Sequence, residues 1–372
     1  MTAMRNDFDV AIVGGGPAGT AAALTLLLHS TLRVVVVESS DYGQPRVGET
    51  VSPGLQPLLR YLEVWDRFVA DEHLPGYSTC AAWGSADPVH RDFLFTGRGD
   101  SWHLDRQRFD RTLADAVLAR GGALWTEARV TDCHHDTDHW QFTVVHGDQK
   151  RSGLTARFTI DASGKKAVLA RRLGARQQVY DALMGVVGFY RFDNHEVRPQ
   201  LTLVEACADG WWYSALLPGH RMVAAFMSDV DILRSYRVQQ AEGWQALLAV
   251  AEHTQQRLSG GRLSGPLHVR PAHSRVLLPT GGSGWIATGD AAASFDPLSS
   301  MGIGHAVASG IHAARVAYNV LSSDGSLMRQ YMDSMVNNFQ RYLQLRRQYY
   351  LIEQRWADHP FWQRRHSTMQ TQ

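Results

Sequence analysis

DFDVAIVGGGPAG, Asp7 to Gly19, runs an apolar stretch straight into a glycine-rich turn and the start of a helix. Phe8 to Val13 has the length and composition of a central parallel strand. Gly14, Gly16 and Gly19 follow in GxGxxG spacing. The first allows the tight turn, the second lets the backbone approach a pyrophosphate, and the third lets the helix pack on the strand. The helix, Pro17 to about His29, points free N–H groups and the positive end of its dipole at that diphosphate. A second apolar run, Leu32 to Val37, ends in Glu38, about 20 residues beyond the last glycine, where a carboxylate accepts hydrogen bonds from a ribose. Strand, turn, helix, strand and acid in this order specify a dinucleotide site and leave open which dinucleotide it is.

Composition bounds the rest. With 372 residues, 44% of them hydrophobic and 20% charged, the chain can bury a large core in two domains or in one domain with a large insertion. A formal net charge of +1 argues against a nucleic-acid partner or a general attraction to membranes. No uninterrupted apolar segment is long enough to span a bilayer, and the N-terminus lacks a signal peptide's apolar core. Cys80, Cys133 and Cys207 lie far apart without metal-type spacing, which fits a reducing cytoplasm.

Beyond Glu38, QPRVGETVSPGLQPLLRYLEVWDRF (Gln44 to Phe68) gives a loop carrying Arg46 and Glu49, then a helical pattern after Pro57. Arg46 and Glu49 read either as a surface pair or as groups beside a bound dinucleotide, and the loop's position favours the second. From Gly76 to His103, GYSTCAAWGS, RDFLF and SWHLD read as short strands of an inserted sheet. Leu104 to Gly122 returns to helix, with Phe109, Leu113, Ala116, Val117 and Leu118 on or near one face. Arg106 in its first turn opposes the helix dipole, which points to an anionic partner. Strands are expected at Ala123 to Val130 and Trp140 to Val145, joined by a polar turn whose histidines His134, His135 and His139 lack supporting ligands for a metal. Phe158 to Ile160 leads into DASGKK, with Asp161 at the strand end and a turn at Gly164.

Met184 to Tyr190, Gln200 to Glu205, Gly210 to Leu217 and Arg221 to Met227 are strand candidates at short spacing. They imply a mostly antiparallel sheet carrying Trp211, Trp212 and Tyr213. After a helical segment around Ala241 to Leu258 comes GWIATGDAAASFDPLSSMGIGHAVASGIHAARVAYNVL, Gly284 to Leu321. Its strand delivers Asp290 to the C-terminal edge of a sheet, beside the first glycine turn if the two strands are neighbours. Pro297, Gly302 and Gly304 then introduce a long helix of small residues whose N-terminus can stabilise negative charge on a reduced ring. Met328 to Trp362 reads as a closing helix pair with an aromatic, arginine-rich end, which suits either packing on its own domain or docking of a protein.

The paired signatures resemble the FAD-binding fold of p-hydroxybenzoate hydroxylase-type flavoproteins. GGGPAG with Glu38 looks like the ADP-binding part, RVGET like the loop beside the flavin, DASG like the middle signature, and GDAAASFDPLSSMGIG like the segment that contacts ribityl and isoalloxazine. VGET and DPLSSMGIG narrow the resemblance to the branch related to tryptophan halogenases. That branch's halogenases place a lysine where this chain has Thr79 and a glutamate where it has Ser299, and their tryptophan-rich signature is altered here to GWWYSALLP. The chain is more similar to the flavoproteins that mature lysine ε-oxidase and glycine oxidase quinoproteins. It shares with them GWWYSALLP, SWHLDRQRFD and a tail like RRQYYLIEQRWADHPFW.

The resemblance implies an α/β (α+β) architecture: a Rossmann-like FAD-binding domain of the glutathione reductase and p-hydroxybenzoate hydroxylase type, an inserted mostly antiparallel sheet, and C-terminal helices. The FAD-binding domain takes 1–75, 104–175 and 270–325, the inserted substrate domain 76–103 and 176–269, and the helical region 326–372. The resemblance carries cofactor contact onto Gly14, Gly16, Pro17, Ala18, Gly19, Glu38 and Ser39 at the first turn. Arg46, Val47, Arg106 and Val130 are expected beside it. Asp161, Gly164 and Asp290 follow at the sheet edge, with Pro297, Ser300, Met301, Gly302 and Ile303 along the ring.

It also implies FAD reduced by NAD(P)H or a partner reductase. O2 is then added to give a C4a-hydroperoxide that hydroxylates a tryptophan of a quinoprotein precursor on the way to cysteine tryptophylquinone. Glu49, His305 and His103 are the candidate acids or bases, each with a plain structural alternative. Two other readings use the same motifs. One is a flavin monooxygenase or reductase acting on a small aromatic or apolar molecule, the other a non-catalytic flavoprotein chaperone.

Overall fold

A computed structural model describes residues 6–44, 46–93, 99–193 and 197–367; Pro45 and the Leu94–Phe95 end of the RDFLF run lie outside them. The glycine-turn strand, Asp7–Val13, is central in a largely parallel sheet. From one edge the order is Gly281–Gly282, Trp285–Ala287, Arg151–Asp161, Asp7–Val13, Val34–Val37 and Ala123–Trp125. Val10 to Ile12 and Val34 to Val37 are buried in one apolar cluster with residues of the helices Pro17–His29, Arg106–Ala119 and Gly302–Ser322 and with Val130, Trp140, Phe142 and Val144, which explains runs of apolar residues without alternation. The strand leading to Asp290 is therefore not the neighbour of the glycine-turn strand: Arg151–Asp161 pairs with both and separates them. The two segments meet through their helices instead. Gly310 of the long helix Gly302–Ser322 lies against Pro17–His29 so closely that a Cβ would come within 2.2 Å of the Ala18 carbonyl oxygen.

A hairpin of Ala128–His135 and Trp140–His146 extends the sheet from Arg151–Asp161. The first of these strands starts after a break at Glu127, whose φ is +50°, and continues through His134 and His135, so those histidines lie in strand rather than in the turn. His135 stacks on Trp140 with ring centroids 4.3 Å apart. Two other expected helices are also divided. Leu55–Tyr61 and Trp65–Ala70 are separated at Glu63, which has φ +54°, and Ala241–Ala249 is separate from Glu252–Leu258. In Arg106–Ala119, Phe109, Leu113, Ala116 and Val117 are buried, whereas Leu118 is exposed, off the apolar face.

The second large sheet runs Arg262–Leu263, Leu183–Arg191, Arg221–Asp229, Gly210–Leu217, Leu201–Cys207, Ser78–Ala82 and Val89–Asp92, with His268–Pro271 also pairing to Leu183–Arg191. Its pairings are antiparallel except Leu201–Cys207 on Ser78–Ala82. Alternation sorts its side chains. Trp211, Ala215, Val223 and Ala225 share one apolar cluster, and Trp212 faces the opposite one, 4.7 Å from the Trp244 ring. Ser101–His103, expected in this sheet, belongs instead to a small sheet with Thr50–Val51 and Leu74–Gly76. That small sheet ties the Arg46–Glu49 loop to the larger one.

The tail forms Leu327–Ile352 and Pro360–His366. Tyr331, Met335, Phe339 and Tyr342 are buried at helical spacing, as are Tyr350, Phe361 and Trp362, so these residues pack on the protein's own body, while Leu345 is exposed.

Candidate functional site

At the first turn, a Cβ on Gly14 would meet the Ala162 carbonyl at 2.3 Å and one on Gly19 would meet the Gly14 carbonyl at 1.9 Å. Above Gly16 the nearest atom is Arg46 Nη1, 4.0 Å away. The turn therefore has close backbone packing beneath it and an open cradle above it. The Glu38 carboxylate accepts from Gly15 N at 2.7 Å and from Ser40, fixing the strand end against the turn, with Ser39 exposed next to it.

Arg46 does not pair with Glu49. It reaches Asp110 at 2.8 Å, Glu38 at 3.3 Å and the Ser40 hydroxyl. Arg106 finds its anionic partner in its own helix, gripping Asp110 while donating to the Val47 and Gly48 carbonyls. Asp110 was not anticipated; its place four residues after Arg106 is the signal that could have found it. One buried carboxylate thus holds two arginines, one over the glycine turn and the other against the backbone of the Val47–Gly48 loop. Val130 is buried in the hairpin strand that follows Glu127.

At the sheet edge, Asp161 turns into its own loop, accepting from Ser163 and from Ala170 N, so it shapes the Gly164 turn rather than presenting its carboxylate outward. Gly164, at φ +68°, has no atom within 4 Å of an added Cβ. Asp290 differs: among the described residues its carboxylate has no hydrogen-bond partner, and Arg275 donates to its backbone carbonyl. The turn Pro297–Ser299 is capped by Asp296, Ser300 takes a left-handed conformation, and Met301 precedes the long helix that begins at Gly302 and Ile303. Gly302 and Gly304 are open to approach. Asp296 is braced from the tail, accepting from Arg346 and Tyr350, while its N–H donates to the Tyr342 hydroxyl.

The donor set fits FAD. There is a cradle that a Cβ at Gly16 would fill, a free carboxylate at Asp290, and an accessible helix N-terminus at Gly302.

Val47 from the Arg46 loop and Leu298 from the Pro297 turn both pack against the apolar cluster of Val187, Trp211, Ala215 and Val223. Glu49 is buried beside this junction. Burial pushes its carboxyl up to about 7 against the opposing pull of Arg106, and its Oε1 has no hydrogen-bond partner. The next residue, Thr50, bonds the Tyr213 hydroxyl at 2.5 Å and Thr202 at 3.4 Å, and Thr202 bonds His103 Nε2 at 3.1 Å. His103 is fully buried, and burial lowers its pKa to about 4. The register pairs His103 with Thr50, the residue after Glu49, so Glu49 and His103 lie on neighbouring segments, and Glu49 acts on this cluster by opposing ionisation of the Tyr213 phenol.

His305 stands apart. Its ring lies edge-on to Phe295 at 4.6 Å, its Nε2 is buried without a partner, and burial lowers its pKa to about 4. Thr50 was read only as the last residue of VGET and Thr202 carried no sequence signal, because their hydrogen bonds arise only when strands far apart in the chain pair.

A family described as "FAD binding domain" matches residues 7–242. The "Putative FAD-dependent oxidoreductase LodB" of Marinomonas mediterranea is 35% identical over 97% of this chain and 97% of its own length. Among solved structures, CmlS, a flavin-dependent halogenase, has a TM-score of 0.85 at 25% identity, covering 97% of this chain and 68% of that one. The peptidyl tryptophan dihydroxylase QhpG, essential for tryptophylquinone cofactor biogenesis, has a TM-score of 0.77 at 24% identity, covering 98% of this chain and 80% of that one.

Proposed function

The chain belongs to the FAD-binding domain family of flavin-dependent oxidoreductases, and from that premise we propose a monooxygenase that hydroxylates a tryptophan side chain of a partner quinoprotein precursor. The reading is supported by the similarity to LodB and, at the level of fold, by the likeness to a peptidyl tryptophan dihydroxylase. The observation that carries it is Glu49, a buried carboxyl with a pKa near neutrality and a free oxygen, set beside an apolar, aromatic wall.

FAD supplies two-electron storage and activation of O2 when bound, with NAD(P)H or a partner reductase as electron source. Gly14, Gly16, Gly19, Glu38 and Arg46 would hold its ADP part, and Asp290 and the Pro297–Ile303 turn the remainder. Overall, one oxygen atom of O2 replaces an aromatic hydrogen and the other leaves as water, with two electrons and one proton from NAD(P)H and a further proton consumed. The protein's residues have three tasks. Val47, Trp211, Ala215 and Leu298 exclude water from the reacting ring. The sheet face orients that ring. Glu49 accepts the proton released from the ring carbon, for which a pKa of about 7 suits neutral pH.

Glu49→Gln is expected to keep FAD binding while lowering oxygenated tryptophan formed per NAD(P)H oxidised by about 100-fold or more. Glu49→Asp should recover part of it. Undiminished product from Glu49→Gln would remove the observation on which this function rests.

A further inference from the structure

Tyr213 ends a run of side-chain hydrogen bonds that the oxygenation chemistry above does not use. Its hydroxyl meets Thr50 Oγ1 at 2.5 Å, Thr50 meets Thr202 at 3.4 Å, and Thr202 meets His103 Nε2 at 3.1 Å. The run crosses three strands that are distant in sequence: Gly210–Leu217, Thr50–Val51 and Leu201–Cys207. It ends on an imidazole with no exposed surface.

The direction of the run follows from its closed end. Burial keeps His103 neutral, so one ring nitrogen carries the proton and the other accepts. The Leu216 carbonyl near the ring favours a proton on Nδ1, which has no regular hydrogen bond of its own. Nε2 then accepts from Thr202, Thr202 from Thr50, and Thr50 from Tyr213. Burial and the Glu49 carboxyl both oppose ionisation of the Tyr213 phenol, so it retains the proton that it donates inward. Tyr213 itself packs on the aromatic sheet face, as do Val47, Val204 and Leu298, and a phenol oxygen that donates its proton can still accept a hydrogen bond. An aromatic ring entering an apolar site without water must leave its N–H unpaired unless an acceptor meets it.

We propose that Tyr213 is the substrate-positioning residue of this site, accepting a hydrogen bond from the indole N–H of the reacting tryptophan, with Thr50, Thr202 and His103 fixing its hydroxyl in the accepting orientation. This deepens the function proposed above and rests on it for the identity of the aromatic group. It makes the site selective for an aromatic ring that carries an N–H donor over the same ring without one.

The test needs no turnover. N-acetyltryptophanamide and its indole N-methyl derivative are titrated by calorimetry into the FAD-loaded protein with the flavin oxidised. The unmethylated probe is expected to bind about 3- to 10-fold more tightly. That preference should fall to near parity in Tyr213→Phe and narrow in Thr202→Val, which leaves the phenol present but cuts its tie to His103. Equal binding of the two probes by the unaltered protein, absence of binding included, overturns the proposal, as does a preference that survives Tyr213→Phe. Failure of the oxygenation reading looks different: the binding preference would persist while the precursor's tryptophan gained no oxygen.

Discussion

Glu49 is where one residue's environment is most at odds with its solution chemistry. Its folded-state pKa is raised by burial from 4.5 to about 7, so between those values the folded chain binds more protons than the unfolded one. Stability therefore falls as pH rises through that window, by at most roughly 3 kcal/mol from this group. Glu49→Gln cannot ionise and escapes the loss. Urea unfolding should find it closer to the unaltered protein at pH values near 5 and more stable relative to it at pH values near 8. A constant difference between the two proteins across that range would place the carboxyl in water. The sequence marked Glu49, with a surface pairing to Arg46 as the alternative to a place beside the dinucleotide. What went unread is Asp110, which takes Arg46, so that among the described residues no cation pairs with Glu49.

At the scale of elements, the glycine turn was legible because its constraints are local: Gly14, Gly16 and Gly19 act within a few residues of one another. The contact between the two long helices was not legible, since it depends on which strand lies between theirs. Gly310→Ala would place a methyl 2.2 Å from the Ala18 carbonyl oxygen, and backbone cannot move aside as a flexible side chain can. It should destabilise the fold by about 1–3 kcal/mol or more and weaken FAD binding, read by unfolding and by flavin titration.

The brace on the Pro297 turn was hidden for a similar reason. Arg346 bridges Asp181 at 3.0 Å and Asp296 at 3.2 Å, with Arg346 and Asp296 buried and Asp181 half-buried. Arg346→Met leaves the buried Asp296 and the half-buried Asp181 without their cation. The expected cost is about 3–5 kcal/mol, together with weaker FAD binding, because Asp296 opens the turn that leads to Met301 and Gly302. Full FAD affinity in this variant would show that the turn holds its shape unaided. Non-glycine residues at positive φ, Glu63 and Glu127, account for the breaks that periodicity missed.

Across the whole molecule, the tail, the sheet and the flavin-side loops form one connected body. Tyr350 joins them: its hydroxyl donates to Asp296 and accepts from the Trp211 indole, and its ring packs against Trp83. The aromatic and basic end, which the sequence left open between packing on its own domain and docking of a protein, is largely committed inward through Tyr350, Phe361 and Trp362, while Tyr349 and Ile352 remain exposed. Only the paired strands and the tail together close the wall against which a substrate ring would lie.

The central claim is that this wall receives a tryptophan belonging to another protein. Its most direct test is site-resolved mass mapping of a quinoprotein precursor after incubation with this protein, FAD, NAD(P)H and isotope-labelled O2. The account predicts labelled oxygen on one tryptophan, in proportion to the NAD(P)H consumed and lost in Asp290→Ala. An unlabelled precursor alongside continued NAD(P)H oxidation would contradict it.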